Sequence, residues 1–190
     1  AIQRSTGYSL RRAFNIEEIG EIIKTVKDYK KDVIIFVDNC YGEFTEYDEP
    51  TDVGADLMAG SLIKNPGAGI AFSGGYLVGK KDLIEYAANN LTAPGIGKEV
   101  GLTFGTTRFT LQGLFLAPHV VGQAMKGAYL IAQVMKDRGY KIIPDETFSK
   151  SDIVQTIIFE DKEALKQFTI GIQQAGAVDS YAIPTAWDMP

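Results

Sequence analysis

The sequence predicts an α/β fold. Two observations carry this. Segments with apolar residues at helical spacing alternate along the chain with short apolar runs, the pattern of strands connected through helices. One of those runs, Val33-Ile34-Ile35-Phe36-Val37, contains no polar residue. It reads as a strand buried on both faces, as in a parallel sheet.

The elements follow in order. Asn15-Ile16-Glu17-Glu18 opens the first helix, with Asn15 as cap and Glu18 completing a capping box. Ile19, Ile22, Ile23 and Val26 predict a buried face, and Lys27, Lys30 and Lys31 suit the carboxyl end. The apolar run 33–37 follows and stops abruptly at Asp38. Residues 42–56 are acidic and loop-like, with Pro50 and Gly54. Asp56 to Gly60 reads as a short strand. The turn Asn65-Pro66-Gly67-Ala68-Gly69 leads to Ile70-Ala71-Phe72, and after Gly74-Gly75 the strand pattern continues in Tyr76-Leu77-Val78. Asp82 to Leu91 is a short helix, and 92–97 a loop. A long helix is expected over roughly Thr110 to Arg138, kinked or restarted at Pro118, with Val121, Ala124, Ala128, Ile131 and Met135 as its apolar stripe. Arg138-Gly139 is a stop signal. A strand (Tyr140 to Ile143), a Pro/Asp loop, a strand (Ile153 to Phe159) and a helix (Lys162 to Gly176) complete the chain. Residues 139–149 are the expected boundary between two domains, 1–138 and 139–190.

Composition excludes several classes. The chain has 190 residues, 45% hydrophobic and 23% charged, enough for one sizeable core or one core and a small appendage. A net charge of −5 and the absence of a basic cluster interleaved with aromatics argue against a nucleic-acid partner. Cys40 is the only cysteine, so no internal disulfide forms, which fits a cytoplasmic location. His119 is the only histidine, which rules out a multi-histidine metal site. No run approaches the roughly 20 apolar residues of a membrane span, so no membrane partner is expected. The first residues, Ala1-Ile2-Gln3-Arg4-Ser5, lack the pattern of a signal peptide and an initiating Met, so the chain reads as a piece of a longer protein.

Two residues carry chemistry. Asp38 follows an all-apolar strand, and ligands of open α/β sheets bind beyond the carboxyl ends of strands. The plainer reading is a turn aspartate. Lys64, in Ser61-Leu62-Ile63-Lys64, follows a strand and precedes a glycine-rich turn. Pinned between apolar residues, it is expected to have a lowered pKa and a reactive amine. The plainer reading is a snorkelling surface lysine. Together the two suit pyridoxal phosphate (PLP). A lysine holds its aldehyde as an imine, and a carboxylate keeps its pyridine nitrogen protonated. Ser61 is placed to bond the phosphate, and Tyr41, three residues past Asp38, to reach the ring oxygen.

Other signals are weaker. Gly74 to Lys80 matches part of a P-loop, but Lys81 stands where Ser or Thr is required. Glu43, Glu46, Asp48, Glu49 and Asp52 read as a solvated acidic loop rather than a cation site. His119, beside Pro118, reads as a packing or capping residue. Cys40 reads as a small buried residue near the site rather than a nucleophile.

With these residues in view, Val37-Asp38-Asn39-Cys40-Tyr41-Gly42-Glu43-Phe44 resembles the aspartate-bearing strand end of fold-type I PLP enzymes, and the segment from Gly54 to Gly67 resembles their lysine segment. The chain is similar to the aluminium resistance proteins, a cystathionine beta-lyase-like or methionine gamma-lyase-like family. Leu91 to Gly101, Gln112 to Val120 and Trp187-Asp188-Met189-Pro190 agree with it.

The resemblance implies a partial PLP-binding large domain of the aspartate aminotransferase-like type over 1–138, and the start of a small α+β domain over 139–190. It implies that Lys64 forms the Schiff base, Asp38 pairs with the pyridinium nitrogen, Ser61 contacts the phosphate and Tyr41 faces the ring oxygen. It sets Arg4 and Ser5 near a position over the cofactor. Ile63 departs from the family's usual hydroxyl residue before the lysine. The implied activity is a carbon–sulfur lyase reaction on sulfur amino acids, in a homodimer or homotetramer. An aminotransferase, an aldolase, or a non-catalytic stress-response protein on the same scaffold stays open.

Overall fold

The computed structural model describes residues 1–101, 103–145 and 147–187. A four-stranded sheet has the order β1 (Ile2–Gln3), β2 (Phe36–Asp38), β3 (Leu57–Ser61), β4 (Gly75–Gly79). The first three strands are parallel, with Gln3 opposite Asp38 and Asp38 opposite Ala59; β4 is antiparallel to β3, with Tyr76 opposite Gly60. The carboxyl ends of β1, β2 and β3 therefore share one edge.

Helix α1 (Ile16–Tyr29) covers one face of this sheet. It starts where the capping box predicts: Glu18 N–H donates to Asn15 Oδ1 (2.8 Å) and Asn15 N–H to Glu18 Oε2 (3.0 Å). Ile16, Ile19 and Ile23 pack on Ile35, Val37, Ala55 and Met58 to form the main core. The expected burial of 33–37 on both faces is not seen. Ile35 and Val37 are buried but Ile34 is 57% exposed, because α1 covers only the face to which odd-numbered residues point. Val26, at the end of the predicted stripe, is 37% exposed.

After β3 a short 3-10 turn (Asn65–Gly67) leads to β4 and α2 (Lys81–Leu91). Ile70 to Phe72 form no strand. Ile70 N–H and Ala71 N–H both return to Gly67 O (2.8 and 3.2 Å), which keeps the backbone turned. Helix α3 (Thr107–Asp137) runs unbroken through Pro118, which lies on its exposed side and does not restart it. Buried Ala117 and Val121 hold the helix on either side of the proline. His119 is exposed in mid-helix, so it neither packs nor caps. Gly113 of α3 lies against the backbone of Gly67, so close that any side chain there would clash.

Gly139, at φ 86°, ends α3 in a left-handed turn. A hairpin of β5 (Lys141–Ile143) and β6 (Thr156–Ile158) and helix α4 (Lys162–Ala175) follow. A second small core joins Ala132 and Met135 of α3 to Ile142, Tyr140, Phe159 and Phe168. Between the two strands, Lys150, Ser151 and Asp152 are buried. Asp152 Oδ2 accepts from Ser5 Oγ (2.7 Å) and Thr6 N–H (3.1 Å), and Ile153 N–H donates to Tyr41 O (3.2 Å). This segment thus returns to the loops at the strand ends.

Candidate active site

Asp38 is the last residue of β2, and its Oδ1 accepts from Cys40 N–H at 3.1 Å. It is therefore a strand-end residue and a turn aspartate at once. The chain then reverses through Tyr41, whose φ of 70° lies in the left-handed region, and Gly42. A Cβ at Gly42 would fall 2.5 Å from Arg4 Cδ, so the buried arginine requires glycine here.

Ser61 is the last residue of β3. Its Oγ accepts from Ile63 N–H (3.3 Å) and its carbonyl accepts from Lys64 N–H (3.2 Å), which starts the lysine turn. The hydroxyl proton of Ser61 has no acceptor among the described residues. Lys64 is half-buried, and its Nζ lies 5.2 Å from the centroid of the Tyr41 ring. Tyr41 therefore connects the aspartate-bearing strand end to the lysine.

The expected depression of the Lys64 pKa is not found. Contact with the Tyr41 hydroxyl, and then the phenol's charge, raises it, while desolvation opposes this too weakly to prevail; Cys40 and Tyr8 add to the rise. The physical reason is exposure: Ile63, meant to enclose the amine, is itself 50% exposed. The Cys40 thiol is pushed up to about 11, first by burial and then by the charge of Asp38, so it stays a thiol at neutral pH.

Beneath these residues lies a polar layer that the sequence did not announce. Arg4 is fully buried and donates to Asn39 Oδ1 (2.9 Å), Glu46 Oε1 (2.8 Å), Glu49 Oε2 (3.2 Å) and Thr45 Oγ1 (3.3 Å). Arg4 and Ser5 are thus engaged in fastening β1 to the loops beside it. The reading of the acidic loop as solvated is corrected in part. Glu43 is 3% exposed, and Glu46 and Glu49 are half-buried partners of Arg4, while Tyr47 and Asp48 are exposed. The loop needs its acids because one arginine is buried against it. That arginine lies some forty residues upstream, and nothing local to either segment marks the pairing.

Among the described residues no group of His, Cys, Asp and Glu is arranged to hold a metal ion, and no helix is long and apolar enough to cross a membrane. The segments from Leu91 to Gly101 and from Gln112 to Val120 fall in α2 with its following loop and in α3. Asp188, Met189 and Pro190 lie outside the described residues.

The chain resembles several known proteins. It is 46% identical over its whole length to a 33.9 kDa protein of Lactobacillus delbrueckii subsp. bulgaricus, and 47% identical to YnbB of Bacillus subtilis. It covers 62% and 45% of those proteins' lengths. A solved carbon–sulfur lyase involved in aluminum resistance from Clostridium novyi superposes with a TM-score of 0.93 at 53% identity, over 98% of this chain and 44% of that one. A Listeria monocytogenes structure, named as a candidate cystathionine beta-lyase involved in aluminum resistance, superposes with a TM-score of 0.96 at 46% identity, over 100% of this chain and 47% of that one. A cystathionine gamma synthase of Xanthomonas oryzae shares the fold at 17% identity and a TM-score of 0.65. The family model described as methionine gamma-lyase matches residues 1–190. The chain belongs to the methionine gamma-lyase family.

Proposed function

We propose that the protein is a PLP-dependent carbon–sulfur lyase acting on sulfur amino acids by β- or γ-elimination, with Lys64 as the cofactor-bearing lysine. The observation that carries this reading is the placement of Asp38 and Lys64. Asp38 ends β2 and Lys64 lies three residues past the end of the adjacent parallel strand β3, with the Tyr41 ring beside the lysine. The donor set matches the cofactor group by group. An amine suits an aldehyde, a carboxylate a pyridinium nitrogen, a hydroxyl with a free proton a phosphate, and a phenol the ring oxygen. When bound, PLP supplies a sink for the electron pair left at the substrate α-carbon.

The chain's own residues do the rest. Asp38 holds the proton on the pyridine nitrogen. Ser61 donates its hydroxyl to the phosphate, and Tyr41 donates to the ring oxygen. Lys64, once free of the cofactor, takes the proton from the α-carbon as general base. Residues 1–138 form part of a fold-type I large domain in this reading, and 139–190 begin the small domain. The working assembly is a cytoplasmic homodimer or homotetramer, which supplies cover for exposed apolar residues such as Phe104 and Phe115, each 84% exposed.

The test is substrate turnover by the full-length protein with PLP. Cystathionine or methionine should release a ketoacid and a thiol, and Lys64→Ala should abolish both. Amino-group transfer without thiol release would assign an aminotransferase instead, and no reaction with either substrate would defeat the lyase reading.

A further inference from the structure

Glu43 has no part in the chemistry above, yet it is not a surface acid. It is 3% exposed and two residues past Tyr41. Its Oε1 accepts from the Tyr76 hydroxyl (2.8 Å), and its Oε2 is buried without a partner. Among the described residues it makes no ion pair. The sheet is shaped around it: a Cβ at Gly60, the neighbour of Ser61, would fall 2.6 Å from the Tyr76 hydroxyl oxygen and closer still to Glu43 Oε1. An ionised carboxylate without a cation is strongly disfavoured there, whereas the neutral acid needs only one acceptor for its proton.

Asn65 offers that acceptor. It directly follows Lys64, is 5% exposed, and donates its Nδ2 to Glu43 O at 3.0 Å. Its Oδ1 is also buried without a partner. Each unsatisfied oxygen is what the other lacks once Glu43 carries a proton.

We propose that Glu43 is a protonated positioning residue of the lysine turn, its acid proton donated to the side-chain carbonyl of Asn65 while it accepts from Tyr76. The Tyr41 loop is thereby fastened both to β4 and to the residue next to Lys64. The functional meaning rests on the reading of Lys64 given above; the proton on Glu43 does not. Burial, above all, raises the Glu43 pKa to about 7; the Tyr76 bond opposes this, as do the backbone amides of Glu43 and Tyr41, and the charge of Glu49 adds to it. The groups facing Glu43 are Tyr76 from β4, Cys40 and Glu49 from its own loop, and, behind Gly42, Arg4 from the end of β1. The guanidinium of Arg4 is taken up by Asn39, Thr45, Glu46 and Glu49. Loss of the proton near neutral pH removes the carboxyl bond to Asn65 and leaves the lysine turn held to the Tyr41 loop only through Asn65 Nδ2 on Glu43 O, which loosens it.

Infrared difference spectra of the full-length protein minus its Glu43→Gln variant test this over about pH 5 to about pH 9. A protonated-carboxyl band is expected at the acid end, giving way to carboxylate with a midpoint near 7. Tyr76→Phe should shift that midpoint to higher pH, and it serves alone if Glu43→Gln does not fold. The rate of borohydride trapping of PLP on Lys64 should fall about tenfold across the same transition in the wild type, and this step should be absent in Glu43→Gln. A carboxylate at every pH, or the same trapping profile in both proteins, overturns the proposal. A carboxyl band with no trapping on Lys64 overturns the functional reading and leaves the proton on Glu43 standing.

Discussion

Asp56, just before β3, and Glu43, in the loop after β2, are buried acids whose pKa values move in opposite directions. Asp56 is 3% exposed, accepts from Ile35 N–H (2.8 Å) and pairs with Lys27 (3.0 Å) and Lys80 (2.6 Å). Burial alone would raise its pKa, but the Lys80 bond, the Ile35 amide and Lys27 overcome this and bring it to about 2. Its folded pKa lies below its ordinary value, so its stabilisation is present above that value and is lost as pH falls toward 2. Denaturant titrations should show a loss of about 1–2 kcal/mol between about pH 4 and about pH 2, discounted for the exposure of both lysines, and Asp56→Asn should lack that component. Glu43 has no cation, and its folded pKa is raised. Its stabilisation is present below the ordinary glutamate value and is lost as pH rises through about 7. Relative to wild type, Glu43→Gln should therefore gain on the order of 2–3 kcal/mol between about pH 5 and about pH 8. A constant difference between the two proteins would remove Glu43 from the set of titrating groups.

At the scale of elements, what was legible in the sequence is what local chemistry determines. The α1 cap was legible because Asn15 and Glu18 bond each other's backbone three residues apart. Asn15→Ala should cost about 1 kcal/mol in thermal or denaturant unfolding. Asp38 was legible as a strand-end residue because an apolar run that stops on a polar residue marks the end of a buried strand, and Lys64 was legible as a turn residue because a strand precedes it and Asn65-Pro66-Gly67 follows. Other features were hidden. Two residues, Ile2–Gln3, form β1 only because β2 is there to pair with, and so short a strand has no period to read. The solvent-facing side of 33–37 depends on what covers the sheet, and an all-apolar run does not report it. The polar layer of Arg4, Asn39, Glu43 and Glu49 rests on long-range pairing between segments. The lysine turn also depends on such a distant contact, that of Gly113 in α3 with Gly67. Gly113→Ala should destabilise the fold by about 1–3 kcal/mol and weaken PLP binding by displacing the turn. Unchanged stability and binding would show that the two backbones separate freely.

For the whole molecule, the sheet, α1 and α3 place a coherent set of groups at one edge, while much of the chain's apolar surface is uncovered. Leu91 is 86% exposed, and Phe104 and Phe115 are each 84% exposed. The chain spans about half the length of most of the relatives it matches. Exposed apolar area on this scale favours association, so light scattering of the 190-residue chain should give a mass above that of one copy. A strictly monomeric chain would mean that these side chains find cover within it. The central claim, that Lys64 carries the cofactor opposite Asp38, is tested most directly on the full-length protein. PLP is added, the complex is reduced with borohydride, and the labelled peptide is mapped by mass spectrometry. A reduced pyridoxyl group on the peptide containing Lys64, absent in Lys64→Ala, is the expected result. A label on a different lysine, or no covalent label at all, would contradict it.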